Sequence, residues 1–340
     1  MRLRYSKSIP RRVSARYLRF GLDRSAGQRR SALIERLLAR ADAAGSAGEW
    51  RSDAFELIAG PGVSVPAVAP CAWWAEQARA ASASVAAGGV ATGASRLPAG
   101  VEARSATVFI ATPVEYVAEI SNVRLANPGI LALPPADAAV LAADFGRVFG
   151  EAGARLIAAP SGRLFCLHDR EVVSATWDPE SAAGRHIQEF LPTGRDGAPL
   201  RRLMSEMEMW LFEHEVNRRR ASAALPAVGG LWLWGGGPVL ESLPPTRGGA
   251  AGTDPMFDAF RAPGEAAAAT IMAVSAPPGG DGWGELESRW LVPAVADLCA
   301  GRIEEIRLSA GERAFRLSAG ASRRFWRRTR PWWEHFGAHL

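Results

Sequence analysis

Four side chains able to bind or move charge lie close together in this sequence: His214, Asn217, Arg218 and Arg220. Imidazole and carboxamide groups exchange hydrogen bonds, and a guanidinium offers a planar fork to phosphate or carboxylate, so the group suits a pocket for an anion. A structural reading also fits. At the end of a helix, His and Arg interact favourably with unpaired carbonyls, and neighbouring helical positions cannot all face one pocket. Downstream, Gly235, Gly236 and Gly237 close the apolar run Gly229-Gly-Leu-Trp232-Leu-Trp234. Their amides could face an anion or simply let the chain turn, and no Lys-Ser/Thr follows as a P-loop requires. Arg185 and His186, just after Gly184, could both donate to an anion from a loop.

A second chemistry sits near the end of the chain, where Arg323, Arg324, Trp326, Arg327, Arg328 and Arg330 mix cations with aromatic rings. Such mixtures serve phosphate backbones, exposed bases or anionic membrane surfaces. The structural alternative is a solvated edge that packs its aromatics inward. Trp232 and Trp234, two apart, share one face of a strand and are expected in the core or at a contact between modules.

Several chemistries have no signature here. The sequence has no Gly-x-Ser-x-Gly elbow, no His-Glu-x-x-His, no paired-Cys motif and no dinucleotide glycine fingerprint. Its five histidines (His168, His186, His214, His335 and His339) show no metal-ligand spacing, and Cys71, Cys166 and Cys299 are too few and too scattered for a disulfide framework. The expectation is a cytoplasmic chain with no cofactor, no bound metal and no transmembrane segment, because no stretch reaches the roughly 18 apolar residues a span needs. A net charge of +5 over 340 residues, carried almost wholly by Arg, favours anionic partners. An unidentified protein partner or an anionic small molecule is expected, with nucleic acid as a further option.

The elements that would position these residues follow from periodicity. Residues 1–30 read as a solvated basic arm, and 31–44 as an amphipathic helix ended by Gly45. A short helix carries Trp73 and Trp74, and 80–105 reads as a flexible Ala/Ser/Gly linker. An α+β module follows, with strands at 107–111 and 114–120, a helix beginning at Pro134-Pro135-Ala-Asp137, a hairpin across Pro160-Ser-Gly162, and a further strand over 171–177. A long helix over 203–220 leads to a buried strand at 229–234. Beyond it lie a strand or helix at 266–274, a helix at 286–298 and paired strands at 303–308 and 314–317.

From Leu191-Pro-Thr-Gly194 through Leu203-Met204, His214-Glu-Val-Asn217, Arg220 and Leu231-Trp-Leu-Trp-Gly235, the order and spacing resemble the archaeal-type cofactor-independent phosphoglycerate mutases. With the Arg323–Arg328 ending included, the pattern resembles more closely a bacterial family of phosphoglycerate-mutase-like regulatory proteins of the Rpf E type. The resemblance implies an α/β fold: a degenerate alkaline-phosphatase-like core, 31–106 with 226–340, interrupted by an inserted α+β module and long helix at 107–225. In the mutases two divalent metals, held by Asp and His, flank a nucleophilic hydroxyl. The opening residues here are basic and strand-poor and lack that family's early Asp-Gly metal motif. Its Tyr-Arg-His segment falls near Leu164-Phe165-Cys166 and its Pro-His-Asp segment near Asp178-Pro179-Glu180. Its Asn before the Trp-Leu-Trp strand becomes Gly229, the Pro of its His-Pro-Val-Asn becomes Glu215, and Asp281-Gly-Trp-Gly-Glu285 occupies an acidic metal-binding segment without a nearby His. The expected function is a non-catalytic regulatory or binding protein. The alternatives are a metal-dependent phosphoglycerate mutase or phosphate-ester hydrolase with a site rebuilt from residues such as Asp178, Arg185, His214 and Asp281, and a nucleic-acid- or membrane-associated protein using its basic termini.

Overall fold

The computed structural model describes residues 13–20, 31–46, 50–86, 106–246, 249–250, 252–261, 272–274, 284, 286–310 and 313–335. The chain is mixed α/β and divides into two compact units, Pro66–Leu243 and Met1–Val65 with Pro244–Leu340.

In the unit Pro66–Leu243 the sheet is organised by one long strand. Numbering described strands and helices along the whole chain, this is β3 (Thr107–Ala118). One of its edges pairs first with β6 (Leu164–His168) and then with β4 (Val123–Ile130), all antiparallel. Pro113 falls between these two stretches of pairing, where the missing N–H costs no ladder bond, so the two strands expected at 107–111 and 114–120 are one. The other edge pairs with β7 (Gly230–Pro238), and β5 (Ala154–Ala158) pairs with β6 in the expected hairpin. Residues 107–111 and all of β6 are buried, as a strand covered on both faces must be, which explains their unbroken apolar runs. Helices α3 (Val68–Ala86) and α6 (Gly197–Phe212) pack on β7, and α4 (Pro135–Phe149) packs on β5. Fully buried Trp73, Phe109, Phe145, Phe165 and Trp232 anchor this core, each contributing about 2–3 kcal/mol by leaving water.

The other unit holds a sheet of order β2-β10-β9-β1-β8. Here β1 (Val13–Phe20) lies between β8 (Met272–Val274) and β9 (Ile303–Ala310), parallel to both. β10 (Arg313–Ser318) forms an antiparallel hairpin with β9 and pairs on its other side with β2 (Asp42–Ser46). Helix α1 (Ala32–Arg40) is capped by the Ser31 hydroxyl, which accepts from the Ile34 N–H at 3.1 Å. Its Ile34, Leu37 and Leu38 are buried in one cluster with Leu291, Leu298, Ile306 and Leu317. Helix α2 (Trp50–Ala59) sets Phe55 edge-on to Phe260 at 5.5 Å, and Arg51 pairs with Asp254 at 2.8 Å. A π-helical turn (Leu286–Leu291) leads into α8 (Val292–Cys299).

Several expectations are corrected. The basic arm is strand over 13–20, because Val13, Tyr17, Leu18 and Phe20 suit a pleated surface once β8 and β9 flank it. The helix expected to end at Gly45 stops at Arg40, and Gly45 lies within β2. Residues 80–86 continue α3 rather than forming a linker, since Ala needs no apolar period to be helical. The strand expected over 171–177 is a lone bridge, Ala175 with Thr193. The helix expected over 203–220 is two helices, α6 and α7 (Glu215–Ser222). β7 pairs with β3, and both lie in the unit Pro66–Leu243. Residues 87–105 and 281–283 lie outside the described residues, and so do most positions of the elements expected at 1–30 and 266–274.

Candidate functional site

The break between α6 and α7 is made by His214. Its backbone is extended (φ −68°, ψ 145°) and it caps α7, Nδ1 accepting from the Val216 N–H at 3.1 Å. An Nδ1 that accepts carries no proton, so Nε2 holds it and donates to Asp144 Oδ2 at 3.1 Å. The ring is buried and stands edge-on to Trp210 at 4.8 Å. Glu215 is then the first residue of α7, a position that proline also suits, so exchanging Pro for Glu after the histidine leaves the capping geometry intact.

Asn217 and Arg220, on the buried face of α7, complete the corner. Asn217 Nδ2 donates to Leu211 O at 2.8 Å and Val228 O at 2.9 Å, while its Oδ1 accepts from the Val228 N–H at 2.8 Å. Arg220 Nε donates to Pro226 O at 2.6 Å. Helix α7 ends in a Schellman motif: Leu225 N–H reaches Arg220 O, Ala224 N–H reaches Ala221 O, and Ala224 takes the left-handed position at φ 53°. The helix end and these side chains together hold residues 223–228, the strap that delivers the chain to β7. Arg218 lies on the exposed side of α7 and donates to Glu213 O at 3.0 Å. His214, Asn217 and Arg220 are therefore brought together, but onto the protein's own backbone and the Asp144 carboxylate.

The glycine triplet is part of β7 rather than a turn after it. Between the pairs Val108 with Gly237 and Ile110 with Trp234, β7 carries one extra residue, a bulge that begins at Gly235 with φ +66°. A Cβ on Gly236 would lie 2.1 Å from Phe109 Cε1, and one on Gly237 would lie 2.6 Å from Ala67 Cβ. The Gly235 N–H is taken by Thr176 Oγ1 at 3.1 Å. These glycines admit an aromatic ring and the start of α3 against the strand. Trp232 and Trp234 are buried beside them, with indole N–H groups donating to Trp177 O at 2.7 Å and Thr112 Oγ1 at 2.8 Å.

Arg185 and His186 lie against β4. Arg185 pairs with Glu189 at 2.6 Å and covers the Phe190 ring at 4.4 Å, while His186 bridges to Arg124 and sits 3.9 Å from Glu119. Asp178 caps the short helix α5 (Pro179–Ala182), accepting from the Glu180 N–H at 3.0 Å. In the other unit, Arg324 bonds Asp42 and Arg327 donates to Ala41 O at 3.2 Å, so both tie the terminal segment to the end of α1. Arg323, Arg328 and Arg330 are exposed, and their side chains have no ion pair or hydrogen bond among the described residues.

Two arrangements had no counterpart in the sequence reading. Beside the start of α6 is a cleft of about 170 Å³ lined by His168, Arg170, Asp196, Arg202 and Glu206 together with apolar residues that include Leu200 and Leu203. Burial, reinforced by Arg170, lowers His168 to about 4, so its ring is neutral at physiological pH. Nearby Cys166, 3.7 Å from His168 Nε2, is pushed up to about 12 by burial and stays a thiol. The alternation Cys166-x-His168 in a strand was the signal that both share a face. Separately, buried Glu76 accepts from Ser161 Oγ at 2.7 Å, pairs with Arg79 and sits 3.8 Å from Arg163 Nη1. The lone carboxylate of α3 was the available clue. Among the described residues, no three His, Cys, Asp or Glu side chains gather in a way that could hold a metal ion, and no helix is long and apolar enough to cross a membrane.

No family model matches the chain. Two solved structures, a cofactor-independent phosphoglycerate mutase from Thermoplasma acidophilum and the PH0037 protein from Pyrococcus horikoshii, each overlay 90% of this chain, at 12% and 11% identity. They cover 90% and 87% of those chains at a TM-score of 0.33, too low for a fold assignment. The 2,3-bisphosphoglycerate-independent phosphoglycerate mutase of Methanothrix thermoacetophila is 41% identical over 66 residues, 19% of this chain and 17% of that enzyme. The match thus spans about one sixth of that relative, and within it the chain is distantly similar to cofactor-independent phosphoglycerate mutases.

Proposed function

We propose that this chain is a non-catalytic regulatory or binding protein of the phosphoglycerate-mutase-like family, of the bacterial Rpf E type, on a degenerate alkaline-phosphatase-like core. The reading rests on one observation. The polar side chains that carry the resemblance, His214, Asn217 and Arg220, cap, clamp and close the α6–α7 corner. In that role they preserve a scaffold: their hydrogen bonds go to Asp144, Leu211, Val216, Pro226 and Val228 of the protein itself. The ligand class it best suits is an anionic small molecule or a protein partner, in keeping with the net charge of +5.

The test is direct. Purified full-length protein is incubated with 3-phosphoglycerate and Mn²⁺, Mg²⁺ or Zn²⁺, and phosphorus NMR follows the formation of 2-phosphoglycerate. The expected outcome is no conversion above a protein-free blank and no stoichiometric tightly held metal. Metal-dependent turnover, or two equivalents of Mn or Zn retained through dialysis, would sink the proposal.

A further inference from the structure

The terminal segment divides its arginines into two groups with different work. Arg324 donates to Asp42 and to Arg40 O at 3.4 Å, and Arg327 donates to Ala41 O and lies 3.7 Å from Asp42. Asp42 is held below the usual carboxylate range, first by its hydrogen bond from Arg324, and so stays ionised for both. These contacts fasten the segment to its own unit. Arg323, Arg328 and Arg330 are left exposed with no acceptor among the described residues, whereas Arg302, Arg307 and Arg316 of the same unit each pair with Asp297 or Glu305.

Between these cations stand two strongly exposed rings. Phe325 is 79% exposed and Trp326 is 67% exposed, and the rings meet edge to face at 5.5 Å. Two adjacent large aromatics held out of a core are not explained by folding, which would gain by burying them. Their setting, an apolar wedge flanked on both sides by cations, matches the boundary between lipid headgroups and acyl chains, where Trp is favoured and Arg meets phosphate. It matches nucleic acid less well. Residues 324–331 are turn and irregular backbone, with no helix or ribbon to enter a groove, and perpendicular rings offer no parallel pair for successive bases.

We propose that Arg323–Arg330 docks this protein peripherally on bilayers rich in anionic phospholipid. Phe325 and Trp326 enter the interface, and Arg323, Arg328 and Arg330 pair with lipid phosphates. The proposal is independent of whether the protein catalyses a reaction.

Flotation of the full chain with vesicles tests it, comparing phosphatidylcholine alone with phosphatidylcholine mixed with phosphatidylserine. Binding is expected only to the mixed vesicles and is expected to weaken with salt. The triple variant Arg323→Ala, Arg328→Ala, Arg330→Ala should lose about 100-fold in partitioning, since each cation near such a surface is worth about fivefold. Phe325→Ala with Trp326→Ala should weaken binding while leaving its salt dependence in place. An unchanged urea midpoint shows that the variants are folded. A control triple, Arg147→Ala, Arg202→Ala, Arg302→Ala, removes the same charge elsewhere and should retain most of the binding. Equal loss in the control, no preference for phosphatidylserine, or tighter binding of a single-stranded oligonucleotide through the same residues would overturn the proposal.

Discussion

Replacing Asn217 with Asp changes one NH₂ to an oxygen and should distinguish a backbone clamp from a ligand contact. In the native corner Nδ2 donates to two carbonyls, of Leu211 at 2.8 Å and Val228 at 2.9 Å, while Oδ1 accepts from Val228. An ionised Asp would place negative charge against both carbonyl oxygens in a buried site. A protonated Asp restores one donor and loses only one bond, worth about 1 kcal/mol. Keeping it protonated at neutral pH costs a further amount of about 4 kcal/mol, from an ordinary Asp value near 3.9. We therefore predict a loss of about 4–5 kcal/mol at pH 7 that shrinks to about 1 kcal/mol at pH 4. The sign follows from linkage: the unfolded Asp is ionised above about 4 while the folded site prefers the proton, so the deficit grows as pH rises. Asn217→Ala should instead cost about 3 kcal/mol at both pH values, leaving the Val228 amide and carbonyl unpaired. Urea unfolding followed by tryptophan fluorescence at the two pH values measures both, and hydrogen exchange at the Val228 amide locates the effect. An Asp variant within about 1 kcal/mol of the parent at pH 7, or a deficit that does not change with pH, refutes the clamp and returns Asn217 to the ligand reading.

Gly236→Ala, whose Cβ would lie 2.1 Å from Phe109 Cε1, should cost about 3 kcal/mol or more by forcing the ring or strand aside; a thermal midpoint equal to the parent's would contradict the packing role. Burial lowers His168 to about 4 in the folded chain, against an ordinary imidazole value of 6.5, so the unfolded chain takes up its proton first as pH falls. Stability should drop between pH 6.5 and 4, by at most about 3 kcal/mol from this residue, and His168→Leu should flatten that part of the profile; an unchanged slope would show that burial is not what lowers it.

The sequence made the residue types visible but not the direction in which each polar atom points. The α4 helix and the β5–β6 hairpin were legible because Pro135 at a first turn and Pro160-Ser-Gly162 at a turn act locally. β1 was not legible: its Arg16 and Arg19 suggest solvent, and only non-local pairing with β8 and β9 makes it an inner strand. The same limit governs the candidate site. His214 and Asn217 have the chemistry of a ligand pocket, yet their partners are the protein's own groups, which the fold brings from a distance: the Asp144 carboxylate on α4, the Leu211 carbonyl of α6 and the Val228 backbone in the strap before β7. A histidine is not among the preferred capping residues, so nothing local marked the helix break at 213–214.

That break also shows that a polar motif can serve the fold without touching a ligand. A cap, a clamp and a bulge are geometric devices: His214 sets where α7 begins, Asn217 fixes the strap, and Gly235–Gly237 let Phe109 and α3 close on β7. Each is costly to change, because it satisfies buried backbone groups or fills a position that a Cβ would obstruct. Catalytic ligands are under no such constraint from folding, since their loss leaves the core intact. A match over 66 residues, 19% of this chain, is weak ground for inferring phosphoryl transfer.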